Sequence, residues 1–81
     1  MNDTKQRVIA IITDVLELDD REVENLLKET GYERMRKWDS MRHVEIIVAL
    51  EDEFGVVIEE RAIPKLGDVA RIVAYLENTQ A

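Results

Sequence analysis

The sequence predicts an all-α fold, a small bundle of three main helices with a short third helix and a long first loop. Three segments carry apolar residues at spacings of three and four, which is the period of an amphipathic helix. No segment alternates apolar and polar residues in the way that a half-buried strand does. With 81 residues, the chain has the length of one small domain, which we expect to span residues 1–81.

The first main helix is predicted from about Asp3 to Leu18, and Asp3 or Thr4 can accept hydrogen bonds from the free amides at its start. Its apolar stripe consists of Val8, Ile11, Ile12, Val15 and Leu16. The stripe predicts that one face of this helix packs on the core.

Residues 19–39 form the long first loop, which we expect to contain a short helix. Asp19 and Glu22 have the spacing of a capping box, and Gly31 can end a helix in the left-handed conformation. The residues expected to attach this loop to the core are Leu26, Leu27, Tyr32 and Trp38.

The second main helix should start at Asp39 or Ser40 and end near Phe54 and Gly55. Asp39 is a good N-cap because its carboxylate can accept hydrogen bonds from the free amides of the first turn. The residues predicted to form its core face are Val44, Ile47, Leu50 and Phe54.

An apolar connector at residues 56–58 and a single helical turn at residues 59–63, before Pro64, should lead to the last helix. That helix is predicted to start after Gly67 with Asp68 as its cap. Its core stripe consists of Val69, Ile72, Val73 and Leu76.

The composition excludes several classes of function. A net charge of −7 disfavours binding to nucleic acid and to anionic membranes, and favours basic protein surfaces. The chain has no cysteine and one histidine, so we expect no disulfide, no thiol nucleophile and no metal site. Residues 1–7 are polar with no long apolar run behind them, so we expect no signal peptide. No apolar run reaches the roughly 20 residues of a membrane span. We expect a cytoplasmic monomer without membrane insertion.

The most informative stretch reads Asp39-Ser40-Met41, followed by Leu50-Glu51-Asp52-Glu53-Phe54-Gly55. It resembles the signature of acyl carrier proteins, in which Asp-Ser-Leu opens a helix that ends in Leu-Glu-x-x-Phe-Gly. The resemblance covers nearly the whole chain and is weakest between residues 19 and 37. The Asp-Ser dipeptide alone is not specific, but its spacing to Phe54 and the chain length together are.

The resemblance implies a carrier and not an enzyme. In this family, the serine at the position of Ser40 is joined by a phosphodiester to 4′-phosphopantetheine, which a phosphopantetheinyl transferase delivers from coenzyme A. The thiol of that arm holds acyl groups as thioesters, in fatty-acid, polyketide or related lipid biosynthesis. An aminoacyl or peptidyl carrier and an unmodified helical interaction domain remain as alternatives. The apolar bundle can also shelter part of an acyl chain, as the resemblance implies.

The position of Ser40 agrees with this role on physical grounds. A serine at a helix N-terminus lies beside free amides and the positive end of the helix dipole, which favour a phosphate. Asp39 can cap the helix and hold a cation of the transferase. The alternative for Ser40 is an ordinary capping serine.

His43 follows Ser40 by three residues and is either a general base or a histidine packed on the core side, which its position favours. Trp38 either packs on the loop or shelters the root of the arm.

A docking face for basic partner enzymes is predicted on the second main helix, where exposed apolar residues lie among acidic ones. The residues assigned to it are Met41, Arg42, Glu45, Val48, Glu51 and Asp52. The resemblance implies the same, since carrier proteins meet acyl-transferring and acyl-modifying enzymes through this helix.

Two features depart from the family pattern. Met41 replaces the usual leucine, a change that nearly conserves volume. Arg42 places a positive charge where many relatives are acidic or neutral, and together with Arg34, Arg36 and Lys37 it forms a basic segment at the entrance to the helix. One interpretation is a specialised carrier with its own partners; the other is that these basic residues pair with acids such as Glu29 and Glu33.

Overall fold

A computed structural model describes residues 3–28 and 36–80, and all regular structure in this part of the chain is helical. Helix α1 spans Asp3–Leu16, α2 spans Asp20–Leu27, α3 spans Ser40–Phe54 and α4 spans Val69–Gln80. A 3₁₀ helix at Glu60–Lys65 lies between α3 and α4. The predicted all-α bundle is confirmed, including the short helix within the long first loop.

Helices α1 and α3 pack against each other in antiparallel directions. Near the start of α1, Arg7 donates from Nη2 to Glu53 Oε2 at 2.9 Å, near the end of α3. At the opposite ends, Arg42 of α3 donates from Nη1 to the carbonyl oxygen of Val15 at 3.2 Å. The Arg7 guanidinium also lies 4.2 Å from the centre of the Phe54 ring, a cation–π contact. These contacts hold α1 and α3 together at both ends.

The capping box of α2 is confirmed. The amide of Glu22 donates to Asp19 Oδ1 at 2.8 Å, and the amide of Asp19 donates to Glu22 Oε1 at 3.0 Å. Lys37 donates from Nζ to the same Glu22 oxygen at 2.9 Å and ties α2 to the segment that precedes α3. This hydrogen bond lowers the pKa of Glu22 and raises the pKa of Lys37. Helix α2 ends at Leu27, and the expected stop at Gly31 lies outside the described residues.

The core is almost entirely aliphatic and draws on α1, α2, α3 and α4. Its buried apolar residues are Val8, Ile12, Leu16, Leu26, Trp38, Ile46, Ile47, Leu50, Phe54, Ile58, Leu66, Val69, Ile72, Val73 and Leu76. The predicted stripe of α4 is therefore entirely buried. In the stripe of α1, Ile11 and Val15 are only partly buried.

Two residues predicted to lie in the core are exposed. Val44 is 56% exposed, and the inward positions of α3 belong instead to His43, Ile46 and Ile47. Successive residues of a helix point about 100° apart, so a helix that buries His43 turns Val44 away from the core. Leu27 is 52% exposed for the same reason, because its neighbour Leu26 takes the inward position. Tyr32, also expected to attach the loop, lies outside the described residues.

The turn predicted to end before Pro64 is longer than expected and contains this proline. It forms the 3₁₀ helix Glu60–Lys65, in which Leu66 donates its amide to the carbonyl oxygen of Ile63 at 3.2 Å. Proline is tolerated here because its fixed φ suits a helical turn. Because proline has no backbone N–H, the turn has one hydrogen bond fewer. Within the described residues, no helix has the length and apolar character needed to cross a bilayer.

Candidate functional site

Ser40 is the first residue of α3 and is exposed to solvent. Asp39 precedes it in an extended conformation and caps the helix, as predicted. The Asp39 carboxylate accepts the amide of Arg42 at 2.8 Å, while its carbonyl oxygen accepts the amide of His43 at 2.8 Å. These two hydrogen bonds of Asp39, one to its side chain and one to its carbonyl oxygen, start the helix at Ser40. The Ser40 side chain therefore lies at the N-terminus of α3.

This entrance favours an anion. The amides of Ser40 and Met41 have no carbonyl partner within the helix, because they belong to its first turn. The first turn contains no acidic residue, and the helix dipole adds a partial positive charge there. A phosphate ester on the Ser40 hydroxyl therefore fits the residues present, with Asp39 already engaged as the cap.

His43 is not a base for Ser40. Its side chain is buried, and its Nδ1 atom accepts a hydrogen bond from Trp38 Nε1 at 2.9 Å. Its Nε2 atom lies 2.7 Å from the carbonyl oxygen of Ile63, to which it donates. Both ring nitrogens are occupied, which supports the interpretation of His43 as a packed histidine. Trp38 is itself buried, so it packs in the core.

An exposed apolar strip runs along α3 behind Ser40. Met41, Val44 and Val48 are 76%, 56% and 57% exposed, and we call these three residues the apolar strip. Glu45 and Asp52, on the same helix, are also exposed. Sequence reasoning missed Val44 by assigning it to the core, although its spacing of three from Met41 and four from Val48 is the helical spacing that aligns all three.

Two residues assigned to the docking face make contacts within the protein. Arg42 is half-buried and contacts Glu45 Oε1 at 3.3 Å in addition to the Val15 carbonyl. Glu51 is half-buried, and its Oε2 atom accepts the amide of Ile58 at 2.8 Å, which anchors the connector after α3. These two side chains support α3, and the exposed positions around them form its outer surface.

Two residues of the basic segment, Lys37 and Arg42, make contacts within the protein. Lys37 pairs with Glu22 and also donates to the carbonyl oxygen of Glu17 at 3.1 Å, and Arg42 pairs with Glu45. The pairing interpretation therefore holds for these two residues, although with different acids. Arg34, Glu29 and Glu33 lie outside the described residues.

At the opposite end of α3 there is a shallow open groove of about 320 Å³. Its lining residues are Arg7, Ala10, Ile11, Asp14 and Glu53. The part of the chain that the structure describes contains no cluster of three acidic or histidine side chains able to hold a metal ion. The candidate site is the entrance to α3, where the exposed Ser40 is the first helical residue.

Three proteins that are similar to this chain over nearly its whole length are acyl carrier proteins. The acyl carrier protein of Zymomonas mobilis is 33% identical and covers 100% of both chains. That of Thermosynechococcus vestitus is 34% identical over 94% of this chain and 90% of its own, and that of Buchnera aphidicola is 30% identical over 96% and 95%. The chain belongs to the acyl carrier protein family.

Membership of the acyl carrier protein family confirms the resemblance that Asp39, Ser40 and the Leu50–Gly55 stretch indicated. No family model matches the chain. The relatives are carrier proteins, and the helical architecture agrees with a carrier protein of this size.

Proposed function

We propose that this protein carries acyl intermediates as thioesters on a 4′-phosphopantetheine arm attached to Ser40. The observation that carries the proposal is the exposed Ser40 at the first position of α3, in a chain of the acyl carrier protein family. When bound, the arm supplies the thiol that holds the acyl group. The pathway proposed is fatty-acid, polyketide or related specialised lipid biosynthesis.

The chain's own residues would bind and orient the phosphate of the arm. The amides of Ser40 and Met41, in the first turn of α3, would donate to the phosphate. Asp39 keeps the helix start in place by accepting the amide of Arg42. Asp39 is also exposed, so its carboxylate is available to a cation of the transferase. No base within the chain is required, because the modifying enzyme supplies it to the hydroxyl.

The partners proposed are a phosphopantetheinyl transferase and acyl-transferring enzymes with basic docking surfaces. Their contact surface is the apolar strip with the exposed carboxylates of Glu45 and Asp52. Apolar side chains bury area in such a contact, while carboxylates select basic partners and speed association. Arg42 and Glu51 act on this surface indirectly, by holding α3 against α1 and the connector.

The test is an intact-mass measurement after incubation with coenzyme A and a broad-specificity phosphopantetheinyl transferase. The expected result is a gain of one phosphopantetheine in the natural sequence and none in Ser40→Ala. Circular dichroism establishes that both proteins are folded. If several transferases leave the folded protein unchanged in mass, the proposal is wrong and an unmodified interaction domain is the better account.

A further inference from the structure

A buried aromatic pair, Trp38 and His43, flanks Ser40 in the sequence and has no part in attaching the arm. Trp38 precedes Ser40 by two residues and is 1% exposed, while His43 follows by three and is 5% exposed. Their ring centroids lie 6.0 Å apart. In a core whose other buried residues are apolar, a polar aromatic pair beside the attachment residue calls for an explanation.

The hydrogen bonds of this pair have a fixed direction. The indole N–H of Trp38 can only donate, so Nδ1 of His43 accepts it at 2.9 Å. The carbonyl oxygen of Ile63 can only accept, so Nε2 of His43 carries the proton and donates at 2.7 Å. Through His43, the segment before α3 is connected to α3 and onward to the 3₁₀ helix Glu60–Lys65.

Arg42, which precedes His43, attaches the first turn of α3 to α1. Arg42 donates to the Val15 carbonyl oxygen at 3.2 Å, at the end of α1. Consecutive residues of α3 therefore hold its first turn to α1 and to the 3₁₀ helix. In the part of the chain that the structure describes, no buried side-chain nitrogen or oxygen atom lacks a hydrogen-bond partner.

This arrangement affects what an acyl chain on the arm can do. Opening the seam between α3 and the 3₁₀ helix separates His43 Nε2 from the carbonyl oxygen of Ile63 and leaves the ring N–H without its acceptor. An alkyl chain cannot replace that hydrogen bond, whereas it can substitute for the apolar packing of an aliphatic seam. Resting on the proposed function, we infer that Trp38 and His43 determine the cargo. They keep the bundle closed beside the arm, so the protein carries short or polar acyl groups that stay outside its core.

The experiment compares two cargoes on the full chain. A broad-specificity transferase loads the acetyl or octanoyl form of phosphopantetheine from the corresponding coenzyme A ester, and intact mass verifies each product. Nitrogen–proton spectra then follow the indole N–H of Trp38, the only tryptophan, and the amides of Ile46 and Leu50. We expect these signals to coincide in the two loaded forms. Absence of the mass gain contradicts the proposed function, whereas loading followed by a shift of these signals with octanoyl overturns the inference alone.

A double variant tests the role of the pair itself. Trp38→Phe with His43→Leu removes both side-chain polar partners, and the Ile63 carbonyl keeps the amide of Leu66 as a donor. In this variant, octanoyl should move the amides of Ile46 and Leu50 and slow hydroxylamine cleavage of its thioester several-fold relative to acetyl. Ala70→Ser, on the exposed side of α4, is the control and should behave as the natural sequence.

The outcomes separate clearly. A folded double variant in which octanoyl and acetyl still give coincident spectra would show that the pair does not exclude the chain, and the inference would fail. If circular dichroism finds the double variant unfolded, the comparison of acetyl and octanoyl on the natural sequence decides the matter alone.

Discussion

At the scale of single residues, Glu17 and Gly55 show how two helices of this protein end. Both adopt positive φ, 53° and 63°, just after α1 and α3. In each case the next residue donates its amide to a carbonyl oxygen in the last turn of the helix. Leu18 donates to Thr13, and Val56 donates to Glu51. This is the Schellman arrangement, which favours glycine at the left-handed position. Glutamate occupies that position after α1, and it adopts a conformation that disfavours a side chain.

The two positions predict opposite effects on stability. Glu17→Gly should raise the free energy of unfolding by about 0.5 kcal/mol, because relief of the left-handed strain exceeds the entropy cost of glycine. Gly55→Ala should lower it by about 1 kcal/mol through backbone strain. An added Cβ at Gly55 would meet no atom within 4 Å, so the effect is not a clash.

Urea denaturation monitored by circular dichroism measures both changes in the free energy of unfolding. Each is the shift in the midpoint urea concentration multiplied by a common m-value. A destabilised Glu17→Gly protein would mean that contacts of the Glu17 side chain outweigh its backbone strain.

At the scale of elements, α2 depends on charge more than on packing. Of its eight residues, only Leu26 is buried, and its start is held by the capping box of Asp19 and Glu22. Lys37, near the other end of the first loop, places its Nζ atom 2.9 Å from Oε1 of Glu22. One carboxylate thus stabilises the helix start and connects it to the segment before Ser40.

This arrangement predicts a pH dependence. The hydrogen bond from Lys37, followed by that from the Asp19 amide, lowers the pKa of Glu22 in the folded protein. A lowered folded-state pKa means that the stabilisation is complete above the ordinary value of 4.5 and is lost as the pH falls through the lower, folded-state value. Glu22→Gln should therefore flatten the acid side of the stability profile.

Thermal midpoints measured across the acid range provide the check, with Glu24→Gln, an exposed change on the same helix, as the control. Equal acid profiles for Glu22→Gln and the natural sequence would contradict the assignment. High salt should reduce the difference, because the pair is exposed to solvent.

At the scale of the whole molecule, the antiparallel packing of α1 and α3 decides which side of α3 remains outside. Arg7 and Arg42 hold its two ends to α1, while His43 connects its first turn to the 3₁₀ helix. The side left to solvent carries the apolar strip. A surface of exposed valine and methionine on an acidic protein is suited to partners that present apolar side chains within a basic rim.

The proposed docking surface can be tested with substitutions of two valines. Val44→Glu should lower the transferase kcat/KM about tenfold, since burying a charged side chain in the interface opposes about 1.4 kcal/mol of binding. The free energy of unfolding should change by less than about 0.5 kcal/mol, because Val44 is exposed. Val57→Glu adds the same charge at a residue that is 84% exposed and lies after α3.

Steady-state kinetics with coenzyme A distinguish the two variants. An equal loss in Val57→Glu would mean that added negative charge, and not the apolar strip, causes the effect.

Much of the site was predictable because it is local. The N-cap at Asp39, the start of α3 at Ser40, the capping box of α2 and the stripe of α4 all depend on residues within one or two turns of each other. The exposure of Val44 was not predictable in this way. The sequence placed both His43 and Val44 on the core side, and which of the two points inward depends on Trp38 and Ile63, partners outside the helix that the periodicity of α3 does not contain.

The sequence by itself determined the helices, their caps and the position of Ser40 at a helix entrance, because hydrogen bonds between near neighbours decide these features. The tertiary structure alone decided that His43 faces Trp38 and Ile63, that Arg42 binds the end of α1, and that Val44 belongs to the apolar strip. The physical reason is distance along the chain: Arg42 and Val15 are 27 residues apart, and His43 and Ile63 are 20 apart. Such partners meet only when the whole bundle has packed.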